Sequence, residues 1–139
     1  DNTVRKVLRR LELPEGLAVV LWNPGGTHAP SPSARERFRA RAQEGQGVVD
    51  VILSGDPFEA MRRNTVLVER AMGYHYHKLR EKLEGAGAIA SGVSGLGPTL
   101  AIVAPKDSAE RVRSALPTAG SFLRTVSFRG PIDPRGGDV

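Results

Sequence analysis

The chain has 139 residues, 40% of them apolar, and no cysteine, so it fits one domain with one core and excludes a disulfide framework, thiolate metal ligands and a cysteine nucleophile. No run approaches the ~20 apolar residues of a membrane span; Asp1-Asn2-Thr3 leads into a charged stretch unlike a signal peptide, and a start at Asp1 in place of methionine suggests a processed, trimmed or excised product. The net charge of +5 is mostly arginine, but Arg35-Glu36-Arg37, Glu69-Arg70, Arg80-Glu81 and Glu110-Arg111 interleave it with acid as on solvated helix faces, so neither nucleic acid nor membrane is the expected partner.

Thr3–Leu13 is charged, with a period ambiguous between strand and helix, and Pro14-Glu15-Gly16 ends it. Leu17–Trp22 is a continuous apolar run of strand length, bounded by Gly16 and Asn23-Pro24-Gly25-Gly26, and reads as a buried strand. After a loop to Pro32, Ser33-Ala34-Arg35-Glu36 has the form of a capping box opening a helix to about Glu44, where Gly45 and Gly47 stop it. Val48–Leu53 reads as more helix, closed by Ser54-Gly55. Asp56-Pro57-Phe58-Glu59 joins an N-cap, a first-turn proline and an acid, and Phe58, Met61, Thr65, Val68 and Met72 then share one helical face. A short helix covers Lys78–Leu83. Ala86–Ala90 and Leu100–Ala104 are apolar stretches, Asp107-Ser108-Ala109-Glu110 caps a helix stopped by Pro117, and Ser121–Phe128 is the last strand. Residues 1–130 form the domain; 131–139 read as a loose tail. The order predicts an α+β, ferredoxin-like two-layer sandwich: about four mostly antiparallel strands with helices on one face.

The chemistry concentrates in Ser91-Gly92-Val93-Ser94-Gly95-Leu96-Gly97-Pro98-Thr99. Glycines let successive backbone N–H groups turn into one concavity, and such a nest binds anions; Ser91, Ser94 and Thr99 add hydroxyl donors. A plain hairpin turn needs only one or two glycines, whereas small residues here occupy most of nine positions. The bland alternative is a tight turn or bulge. Tyr74-His75-Tyr76-His77 has a His-x-His spacing, but zinc takes three or four ligands and His28 alone remains, so no metal site is assigned.

The glycine-rich segment between two strands and before a capped helix resembles the third motif of the kinase superfamily named for galactokinase, homoserine kinase, mevalonate kinase and phosphomevalonate kinase, the GHMP kinases. More narrowly, Phe58-Glu59-Ala60-Met61, Asn64, Ala71-Met72-Gly73-Tyr74 and the run Glu84–Pro98 resemble the archaeal shikimate kinases, and an arginine-rich, cysteine-free chain suits a heat-adapted source. The resemblance covers nearly the whole chain, but only as the C-terminal domain of a two-domain enzyme. It implies transfer of the ATP γ-phosphoryl group, with Mg²⁺, to a small-molecule hydroxyl such as that of shikimate, in the cytoplasm and in aromatic amino-acid biosynthesis. The Gly-Ser-Ser loop of the N-terminal lobe has no counterpart here, so that lobe, in the same or a separate chain, is the expected partner and holds most of the nucleotide.

By the same resemblance Ser91, Gly92, Ser94, Gly95, Gly97 and Thr99 lie near the phosphates, and Thr27, Arg35, Arg63 and Asn64 are candidates for the acceptor. An Arg fork suits a carboxylate, and Arg62 is a further candidate; the bland reading of all three arginines is surface charge. The rival readings are a homoserine kinase or other member of the superfamily, and a stand-alone ferredoxin-like binding or regulatory module.

Overall fold

The structure is a computed structural model that describes residues 8–26, 31–118 and 122–127. Among these the elements run β1 (Leu17–Asn23), α1 (Pro32–Ala40), α2 (Ala42–Ser54), α3 (Pro57–Met72), α4 (His77–Gly85), β2 (Ala90–Val93), β3 (Leu100–Pro105), a short 3-10 turn (Lys106–Ser108), α5 (Ala109–Ser114) and β4 (Phe122–Ser127). The four strands pair in the order β2-β3-β1-β4, every neighbour antiparallel. This is the split β-α-β-β-α-β arrangement, with α1–α4 together as the first crossover and α5 as the second. The expected α+β, ferredoxin-like class is the observed one.

The period-two pattern of β1 sets which face is buried. Ala18, Val20 and Trp22 oppose Ala104, Ile102 and Leu100 of β3, and all six are at most 5% exposed. Leu67 and Val68 of α3, Leu83 of α4 and Val112 and Leu116 around α5 close the core over them. Burying side chains of this size contributes about 1.5–3 kcal/mol each. Trp22 Nε1 donates to Pro117 O at 3.2 Å, tying the end of β1 to the residue that stops α5.

Several local expectations shift. Ser31, not Ser33, caps α1: its Oγ accepts from the Ala34 amide at 3.2 Å, because Pro32 has a preset φ and no N–H and so suits the first helical position. Ser33 Oγ lies 2.9 Å from Ser31 Oγ. Gly45 and Gly47 do not stop a helix. The break falls at Arg41, and α2 runs through both glycines to a left-handed Gly55. Asp107 sits within the 3-10 turn and caps nothing; Ser108 precedes α5 without a side-chain cap bond. Residues 3–7 of the opening segment and the 131–139 tail lie outside the described residues.

Candidate functional site

The glycine-rich segment divides in two. Ala90–Val93 is strand β2 with every residue buried, whereas Ser94, Gly95 and Leu96 are exposed at the tip of the β2–β3 hairpin. The expected loop therefore begins three residues later than the sequence suggested, at Ser94. Ser91, 1% exposed, and Gly92 belong to the sheet rather than to an open nest. The reason is α3, which runs along the outer edge of β2: Thr65 Oγ1 accepts from the Val93 amide at 3.1 Å and lies 3.2 Å from Ser91 O. Arg62 Nη2 donates to Ile89 O at 2.6 Å just before the strand. A Cβ on Gly92 would stand 2.7 Å from Met61 Cγ, so glycine is what lets helix and strand approach this closely.

At the tip, Ser94 N donates to Thr99 O at 2.8 Å and Gly97 N to Ser94 O at 3.0 Å. Among the described residues the Gly95 and Leu96 amides donate to no protein acceptor. Two adjacent N–H groups therefore remain for a ligand or water, next to the Ser94 hydroxyl. Pro98 is buried, and Gly97 and Thr99 are half-buried behind the tip.

Two tyrosines from the α3–α4 connection hold this hairpin. Tyr74 Oη donates to Leu96 O and Tyr76 Oη to Pro98 O, each at 2.8 Å. The rings stack with centroids 5.4 Å apart, and Tyr76 also meets Trp22 edge-on at 6.1 Å. Burial raises both phenols, and raises Tyr76 to about 12 with smaller contributions from Tyr74 and Glu69. The connection is itself anchored. Glu69 O accepts the Gly73 and Tyr74 amides at 2.8 and 3.0 Å, and the Glu69 carboxylate takes a two-pronged ion pair from Arg80 at 3.2 and 3.1 Å. From the sequence, Tyr74 figures only in a family resemblance and His75 and His77 only as possible metal ligands; the alternation of Tyr74 and Tyr76 was the available signal.

Among the described residues Arg35, Arg63 and Asn64 make no hydrogen bond to the hairpin. Arg63 belongs to the α3 face turned to α2, where it lines a shallow groove with Glu44, Gly47, Val48, Val66 and Leu67. There it is paired to Glu59 at 2.8 Å, and that hydrogen bond holds the Glu59 carboxyl below its usual range. Arg62 is committed to Ile89 O and Glu59. Asn64 is exposed on α3; Arg35 is exposed on α1 and forms no ion pair among the described residues. Thr27 lies outside the described residues. Arg37, not singled out from the sequence, secures α1 to α3 by donating from Nε to Ala71 O at 2.6 Å.

Residues 55–121 match the family described as GHMP kinases C terminal, a span that holds α3, the tyrosine-bearing connection and the whole glycine hairpin. The chain has the fold of a GHMP kinase C-terminal domain. Homoserine kinase of Methanopyrus kandleri is 30% identical to it, over 77% of this chain and 41% of that protein. 4-Diphosphocytidyl-2-C-methyl-D-erythritol kinase of Corynebacterium jeikeium is 32% identical, over 92% of this chain and 36% of that protein. The crystal structure of homoserine kinase from Cytophaga hutchinsonii superposes with a TM-score of 0.53 at 17% identity, covering 88% of this chain and 44% of that one, a likeness of fold alone. The chain thus spans about two-fifths of the length of the curated relatives it matches. These relatives are kinases, but shikimate kinase is not among them.

Beside the hairpin lies a groove of about 580 Å³ between α3 and the start of α4, lined by Tyr74, His75, His77, Lys78 and the Glu69–Arg80 pair. Among the described residues no three His, Asp or Glu side chains converge as metal ligands, His75 and His77 included. No helix among them is long and apolar enough to cross a membrane.

Proposed function

We propose that this GHMP kinase C-terminal domain is one lobe of an ATP-dependent small-molecule kinase and that it receives phosphate oxygens at the tip of the 94–99 hairpin. The observation that carries the reading is the exposed pair of unbonded amides, Gly95 and Leu96, beside the Ser94 hydroxyl. Phosphoryl transfer depends mainly on positioning and on stabilising charge spread over the phosphoryl oxygens. N–H dipoles already fixed in direction do this without reorganising during the reaction. Of the residues named from the sequence, Ser94, Gly95, Gly97 and Thr99 retain the phosphate-proximal role; Ser91 and Gly92 support the strand behind them.

ATP with Mg²⁺ supplies the transferred phosphoryl group, and the donors at the tip fit its oxygens. We assign the metal ligands and the general base to a companion N-terminal lobe. That lobe is supported by the greater length of the relatives and by α2, which is rich in apolar residues yet buries none and exposes Val49, Ile52 and Leu53. The acceptor is a small-molecule hydroxyl. Homoserine is the acceptor favoured by a named relative; shikimate, suggested by the stretches around Phe58 and Tyr74, is kept as a second arm.

The test combines the chain with the N-terminal lobe of a homoserine kinase and labelled ATP. It follows phosphate onto homoserine, shikimate and 4-diphosphocytidyl-2-C-methyl-D-erythritol, while inorganic tripolyphosphate is titrated against the chain alone by amide NMR. Chain-dependent transfer to one acceptor, with the Gly95 and Leu96 resonances moving, is expected. No transfer to any acceptor together with unmoved resonances overturns the assignment.

A further inference from the structure

The carbonyls of the hairpin tip are as important to an oxyanion as its amides. A peptide unit presents a donor and an acceptor, and a C=O group swung toward a phosphate repels it. In the 94–99 hairpin two carbonyls, Leu96 O and Pro98 O, are each held at 2.8 Å by a phenol.

We propose that Tyr74 and Tyr76 act as a paired positioning clamp for phosphate binding, each phenol holding one hairpin carbonyl away from the open side so that the Gly95 and Leu96 amides stay presented. This rests on the reading of the hairpin as a phosphate site. The two side chains act as a unit. Their rings stack at 5.4 Å, Trp22 backs Tyr76, and the Tyr74 ring lies where any side chain at position 97 would project, 2.6 Å from the site of a Cβ. They are also rigidly sourced, because the connection carrying them is pinned at both ends, by the Glu69 carbonyl accepting the Gly73 and Tyr74 amides and by the largely buried Glu69–Arg80 pair. A phenol is well suited to such a clamp, since it donates one hydrogen bond, brings no charge at neutral pH and has two side-chain torsions to order, against the longer and freer alternatives.

The experiment uses the full chain with Tyr74→Phe, Tyr76→Phe and the double variant. It measures tripolyphosphate affinity by amide NMR, ¹⁵N relaxation of Gly95 and Leu96 without ligand, and the thermal midpoint. The expected result is an affinity loss of about ten-fold per phenol, as for one lost hydrogen bond, with faster motion confined to residues 94–99. Tyr→Phe keeps the stacked rings, so the midpoint should fall only by what one hydrogen bond contributes; a merely structural role would give the same fall and leave affinity alone. Should the variants fail to fold, the unsubstituted chain still decides. The two hydroxyl protons should exchange slowly and slow further on adding tripolyphosphate; fast exchange in both states overturns the clamp. Unchanged affinity in the double variant, with the parent binding normally, overturns the clamp and leaves the kinase-lobe reading standing. No binding by the parent chain overturns both.

Discussion

The Thr65 hydroxyl oxygen accepts the Val93 amide at 3.1 Å, across an interval of 28 residues, and thereby does for strand β2 what a neighbouring strand would otherwise do. β2 is a four-residue edge strand, and an exposed edge is a pairing hazard. Here α3 covers it. Thr65 is 0% exposed and, besides Val93, its Oγ1 reaches Met61 O at 2.9 Å and Ser91 O at 3.2 Å. Thr65→Val keeps the shape but strands a buried N–H, which costs about 1–3 kcal/mol. Thr65→Ser should retain most of the stability. Denaturant midpoints of the two variants, together with hydrogen exchange at Val93, test this; a valine variant as stable as the parent would remove the edge-cap argument.

Gly97 has φ of +84° and has Tyr74 Cε2 2.6 Å from where a Cβ would stand. Gly97→Ala therefore carries two penalties, left-handed strain of about 1–2 kcal/mol and a steric clash with the ring. Combining it with Tyr74→Ala should relieve the clash and leave the strain, giving a non-zero coupling in a double-mutant cycle. Strict additivity of the two changes would show that ring and glycine do not meet in solution.

Breaking the Glu69–Arg80 pair should be among the most damaging single changes in the chain. The two side chains are only 10% and 12% exposed and share two hydrogen bonds, so removing either leaves an uncompensated charge largely out of water. Arg80→Met or Glu69→Met alone should cost about 3–5 kcal/mol. The double Met variant should recover much of that loss, because an apolar pair asks for no ionic partner. If the double variant is as weak as the singles together, the pair is not acting through desolvation.

Ultraviolet titration of the phenols gives a reading of the hairpin clamp that needs no ligand. The chain has two tyrosines, both above the ordinary value of 10.0, with Tyr76 at about 12 because burial, then Tyr74 and Glu69, disfavour its phenolate. The folded state thus holds the Tyr76 proton more tightly than the unfolded state does. The associated stability is present in full below the unfolded value near 10 and is lost as pH rises through about 12. A Tyr76 phenol that ionises at its ordinary value in the folded chain would contradict the packing described.

Much of the architecture was legible in the residues. The apolar run Leu17–Trp22 is β1, and Asp56-Pro57 caps and opens α3 with Asp56 accepting the Glu59 amide at 2.9 Å. Both depend on local pattern: a side-chain period in one case, one side-chain oxygen near one amide in the other. Gly45 and Gly47 misled because a glycine costs a helix interior only about 1 kcal/mol, less than the packing of α2 on α3 returns. The site was half legible. Gly95 and Gly97 marked the exposed hairpin, but Ser91 and Gly92 could not be separated from it without knowing that α3 lies along β2.

Sequence alone determined the element order, the α+β class and the presence of a glycine-bearing hairpin, since each follows from residues within a few positions of one another. Tertiary structure alone decided which part of that hairpin is open, which arginines are already engaged, and that Tyr74 and Tyr76 grip Leu96 and Pro98 from 22 residues away. The physical reason is that a hydrogen bond forms between groups the fold brings together, and no local pattern in the chain encodes a meeting at that separation.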